Sequence, residues 1–115
     1  MKENKLVDLS MDFSVKVIKL CENIKGHYSL VNQLERSATS IGANIHEANY
    51  ASSKADFVNK FHIALKECAE TEYWIEMLVG CNAITDESAY VLLQECGIIR
   101  RMLAKSITTA KSNKE

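Results

Sequence analysis

The chain contains no proline, and only four of its 115 residues are glycine. Little in it interrupts a helix, and strand-type alternation is scarce, so long helices joined by short turns are the expected product. No apolar run reaches the length of a membrane-spanning helix. The opening MKENKLVDLS lacks the apolar stretch of a secretory leader, so the expected compartment is the cytoplasm. Cys21, Cys68, Cys81 and Cys96 include no C-x-x-C pair. Three of them fall on apolar helical faces and read as small buried residues of a reducing compartment.

Signs of catalysis are equally sparse. The Glu-x-x-His pairs of di-iron bundles are absent, and His46-Glu47 runs into Ala48-Asn49-Tyr50 rather than completing H-E-x-x-H. His27, His46 and His62 fall on different elements with no ligand spacing. There is no glycine-rich phosphate loop, and no serine sits in a nucleophile elbow. The expectation is a protein without catalytic residues, metal or cofactor.

What is present is helical periodicity, over a length that suits one domain, 1–115. Four helices are expected, over about 5–25, 30–50, 54–80 and 86–111. In the first, Leu6, Phe13, Val17, Leu20, Cys21 and Ile24 share a face, and Gly26 marks the stop. Ser29 is the expected cap of the second, with Leu34, Ala38, Ile41, Ile45 and Ala48 inward. Ser53 caps the third, with Asp56 reaching back. Its inward stripe reads Phe57, Phe61, Ala64, Cys68, Thr71, Ile75 and Val79. Thr85 caps the fourth, with Ala89, Leu92, Cys96, Ile99, Leu103 and Ile107 inward. Short connections make this an all-α, antiparallel up-down-up-down four-helix bundle.

Some residues exceed what one core needs. The second helix covers its back with Ser37, Ser40, Gly42, Ala43 and Asn44 rather than Lys and Glu, the mark of a helix covered on more than one face. Ile63, Trp74 and Met77 on the third helix and Val91, Ile98 and Met102 on the fourth form extra apolar stripes. They are the candidate subunit interface of a homo-oligomer with cyclic symmetry. Arg36, Asn44, Glu47 and Lys54 are candidates for a structural polar network between helices.

Net charge is −1, which does not advertise a nucleic-acid binder. The charges are nonetheless segregated. Glu67 to Gly97 carries acidic residues and no Lys or Arg, whereas Arg100, Arg101, Lys105 and Lys111 follow close together. Those four cations are the candidate contact for RNA or another nucleic acid. Solvated helix ends produce the same pattern, and a cationic C-terminus suits the helix macrodipole by itself.

QLERSATSIGANIHEA (33–48), SKADFVNKFHIALKECAETEYWIEML (53–78) and IIRRML (98–103) carry a resemblance. They are similar to the four-helix-bundle proteins encoded in intervening sequences of 23S ribosomal RNA genes, once labelled the S23 ribosomal protein family. The resemblance runs from about Phe13 to Ile107. The family motif commonly has Pro, Ala and Gly where this chain has Gly42, His46 and Ala48. The resemblance implies a homopentameric ring. It also implies a relation to the accessory variability protein of diversity-generating retroelements, which binds reverse transcriptase and nucleic acid through a basic surface. The pI near 6.3 departs from that branch. The leading expectation is a non-enzymatic, ring-forming scaffold or adaptor with weak, sequence-tolerant RNA contact. The alternative is a protein–protein interaction module, using the acidic face of the third helix, with no nucleic-acid role.

Overall fold

A computed structural model describes residues 4–112. Four helices, α1 (Asn4–Cys21), α2 (Tyr28–Ala48), α3 (Lys54–Gly80) and α4 (Asp86–Ser112), account for nearly all of them. Each helix packs on its two neighbours, and the diagonal pairs do not meet. The result is a square up-down-up-down bundle of 50 × 19 × 19 Å.

The starts of α3 and α4 follow their local chemistry. Ser53 Oγ accepts from the Asp56 amide at 3.1 Å, and Asp56 Oδ2 accepts from the Ser52 amide at 3.2 Å. Thr85 Oγ1 accepts from the Ser88 amide at 3.1 Å. The Asp56 and Ser88 bonds satisfy amides that the first helical turn leaves without a partner, and the Ser52 bond ties the residue before the cap to the helix.

The α1–α2 connection departs from expectation. α1 stops at Cys21, not near Lys25, because the amides of Asn23 and Ile24 turn to carbonyls three residues back and wind the chain out of the α-helix. Gly26 and His27 then both adopt left-handed backbone, φ 78° and 54°. This reverses the chain and starts α2 at Tyr28. His27 occupies the cap position with no side-chain hydrogen bond to the helix it caps, and Ser29 lies inside the helix rather than capping it. At its far end α2 stops at Ala48 instead of Tyr50.

The core contains most of the residues the periodicity selects. Leu6, Phe13, Val17, Leu34, Ile41, Ile45, Phe61, Ile75, Ile99 and Leu103 are almost wholly buried. On α3 the last inward residue is Leu78, while Val79 is only half-buried. A stripe stepping by four drifts off a helix of 3.6 residues per turn, so the step after Ile75 is three. Leu20 and Ile24 pack at the margin of the core. Cys21, Cys68 and Cys96 are buried and Cys81 is exposed. Among the described residues Ser10, Ser14, Ser37 and Thr71 are the buried polar ones, and each hydroxyl is hydrogen-bonded.

Candidate functional site

The flank of α2 that faces α3 is polar. Arg36 Nη2 donates to Glu70 Oε1 at 2.7 Å, and its Nη1 lies 3.6 Å from Glu67 Oε2. Glu70 Oε2 also accepts from Trp74 Nε1 at 3.5 Å. Further along, Glu47 accepts from Lys60 Nζ at 3.0 Å, and Asn44 Nδ2 donates within α2 to Ser40 O at 2.8 Å. Arg36, Asn44 and Glu47 therefore do not join into the expected network. Their spacing places them on one flank, but Arg36 and Glu47 are about 16 Å apart along the axis at 1.5 Å per residue. Lys54 is exposed in the first turn of α3.

Burial pushes the Glu67 carboxyl up, with Glu70 adding to the effect. Its Oε1 is the one buried side-chain oxygen or nitrogen among the described residues without a hydrogen-bond partner. The Arg36 hydrogen bond holds Glu70 below the ordinary carboxylate range. On the opposite flank of α3, Glu72 Oε2 accepts from Arg100 Nε at 3.2 Å. Three carboxylates of α3, on two opposite flanks rather than one acidic face, are thus engaged by Arg36 and Arg100.

Among the candidate nucleic-acid residues, Arg100 turns to α3 and its charge is countered by Glu72. Arg101, Lys105 and Lys111 are exposed. Gly97 lies under the two arginines: a Cβ there would meet Arg101 Nη1 at 3.2 Å and Arg100 Nη2 at 3.6 Å. Lys111 shares a shallow depression of about 490 Å³ with Lys54, Asn59 and His62 of α3. The α3 contribution escapes a reading of single helices. Only the antiparallel pairing brings the basic first half of α3 beside the basic last half of α4.

The six interface candidates do not form one patch. Ile63 and Trp74 are half-buried on the α2 side of α3, and Trp74 packs on its own core with its ring edge-on to Tyr73. Met77 is exposed. Met102 is half-buried against its own core, whereas Val91 and Ile98 stand 51% and 44% exposed on α4.

A larger apolar surface lies elsewhere, in a groove of about 410 Å³ between α1 and α2. Met11, Val15 and Ile18 form one wall, 64%, 40% and 37% exposed, and Gly42, Ala43 and His46 lie on the other side. A Cβ on Gly42 would meet Ser10 Oγ at 3.3 Å, and Ser14 Oγ donates to Ala38 O at 3.2 Å. The small residues of α2 thus let α1 come close. The spacing of Met11, Val15 and Ile18 at i, i+4, i+7 is the sequence signal for this wall, and it falls outside the six candidates.

No cluster of three His, Cys, Asp or Glu side chains arranged for a metal occurs among the described residues. None of the described helices is long and apolar enough to cross a membrane. The molecule is therefore of the four-helix up-and-down class, with its distinctive features on its outer faces.

The chain matches the 23S rRNA-intervening sequence protein family over residues 2–105, and it belongs to that family. It is also similar to a crystal structure, at 1.70 Å resolution, of a protein of unknown function of the S23 ribosomal protein family from Bacteroides thetaiotaomicron. The two share 40% identity over 94% of this chain and 99% of the other, with a TM-score of 0.87. No curated protein matches.

Proposed function

We propose that this protein is a non-enzymatic helical bundle that associates with copies of itself and serves as a scaffold or adaptor. The observation that carries this reading is exposed apolar surface outside the core. The α1/α2 groove and the Val91–Ile98 stripe of α4 are both solvent-facing in a single copy. Contiguous apolar surface rimmed by polar residues is the usual sign of a macromolecular contact. Static light scattering at micromolar concentration tests it. An assembly of several copies is the expected result, and a monomer overturns the reading. The pentamer implied by the family resemblance is the specific stoichiometry to look for.

A second reading, contact with RNA, is favoured by the meeting of Lys111 with Lys54 and His62 at one end of the α3/α4 pair, with Arg101 and Lys105 exposed further along α4. Such a surface touches phosphates and reads no sequence. Binding is then sequence-tolerant and steeply salt-dependent, with dissociation constants on the order of 10⁻⁴–10⁻⁶ M at physiological salt. Titration of native protein and of Arg101→Glu/Lys105→Glu with RNA at low and moderate salt decides it. Equal binding by the two, or none at low salt, leaves a protein partner as the adaptor's target.

A further inference from the structure

We infer that the groove between α1 and α2 is the seat for helix α4 of a second copy, so that each copy offers a groove to one neighbour and a stripe to the other. The inference rests on the self-association reading and assigns its surfaces. The two surfaces fit in shape. The groove wall is a ridge of Met11, Val15 and Ile18, facing Gly42 and Ala43 with little bulk between. The stripe is a ridge of Val91 and Ile98, both about half exposed, with Gln94 between them and Arg101 and Lys105 beyond. Each ridge spans about two helical turns.

They also fit in register and charge. Lys16 Nζ lies 2.6 Å from Glu95 Oε2, which fixes the relative height of α1 and α4 within one bundle. Counting outward from that pair at about 1.5 Å per residue, Phe13 stands level with Ile98, Ser10 with Arg101 and Leu6 with Lys105. Copies related by rotation about an axis parallel to the bundles keep these heights. The stripe of one copy laid on the groove of the next then brings Ile98 between Met11 and Val15. It also brings Arg101 and Lys105 to either side of Asp8, an exposed acid on the same flank of α1 as Met11 and Val15. Groove and stripe are different surfaces, so the contact is heterologous and passes from copy to copy until a ring closes. It also gives the small flank of α2 a function: a Cβ-poor wall admits a neighbouring helix that a Lys- or Glu-covered wall would keep out.

The test uses two variants at exposed positions, Val15→Glu to block the groove and Ile98→Glu to block the stripe, each checked by circular dichroism for native helix content. Each alone is expected to sediment as a monomer. Mixed in equal amounts, they regain one good contact, stripe of the first in groove of the second, and give a one-to-one heterodimer across a concentration series. A third variant set probes the charges. Asp8→Lys weakens assembly by about tenfold or more at low salt through like-charge contact, and adding Arg101→Asp and Lys105→Asp in the same chain restores it. If native protein assembles but either single variant still assembles like it, or the mixture stays monomeric, this assignment of surfaces falls and the self-association reading stands. If native protein is itself a monomer, both fall together.

Discussion

The hydroxyl of Thr71 on α3 donates to that of Ser37 on α2 at 2.9 Å, and Ser37 in turn donates to Leu34 O at 3.2 Å. Both side chains are fully buried. Ser37→Ala leaves the Thr71 hydroxyl without that acceptor and should cost about 1–3 kcal/mol. Adding Thr71→Val removes the orphaned donor at nearly constant shape, so the double variant should recover most of the loss. Urea unfolding of the two single variants and the double variant measures the cycle. Additive losses would show that the two hydroxyls act independently.

Phe61 is wholly buried, with its ring 4.4 Å from that of Phe57. Phe61→Ala should lower stability by about 3–5 kcal/mol, a large share of what a domain this size possesses. Val79→Ala, at the half-buried position beside Leu78, should lose much less. Denaturant midpoints for the pair check the facing of α3, and equal losses would contradict it.

Glu67 and Glu70 make stability depend on pH in opposite senses. The Glu67 carboxyl holds its proton more tightly folded than unfolded. Its contribution is present below the ordinary value of 4.5 and is lost as pH rises through its raised folded value. The Glu70 contribution is present above the ordinary value and is lost as pH falls through its lowered one. Glu67→Gln removes the first effect. The variant should be at least as stable as native protein at about pH 7, with the difference shrinking toward about pH 4. A clear loss at neutral pH would mean that the Arg36 contact outweighs the burial of the charge.

Thiol reactivity should separate one cysteine from three. Cys81 is exposed beside His27, its Sγ 4.0 Å from Nδ1. Cys21, Cys68 and Cys96 are buried, and burial pushes the Cys21 thiol up to about 12. Brief treatment of folded protein with an alkylating reagent should add one adduct, mapped by mass spectrometry to Cys81, with the other three reacting only on unfolding. Rapid addition of two or more would show that a helix opens readily.

The bundle was legible because its signals are local. Heptad-like spacing put Phe57, Phe61 and Ile99 inside, and Ser53 and Thr85 announced their caps by residue type. The entry into α2 was not legible, because a left-handed His27 has no signature of its own beside Gly26. The surface is less legible for a different reason. Arg36 and Arg100 look alike in a sequence, but each is committed to a carboxylate on a neighbouring helix, which only packing reveals. Lys54 and Lys111 lie far apart in the chain and become neighbours through topology. The α1 wall is masked in the sequence because Met11, Val15 and Ile18 resemble the margin of an ordinary core stripe.

Antiparallel packing of α3 on α4 has an electrical consequence. The basic half of each helix lies beside the basic half of the other, and the acidic halves meet toward the opposite end of a 50 Å rod. The rod is therefore polar along its length, with a sense of up and down that a net charge of −1 conceals. A flat anionic surface should attract it by one tip, so that it stands on end rather than lying on its side.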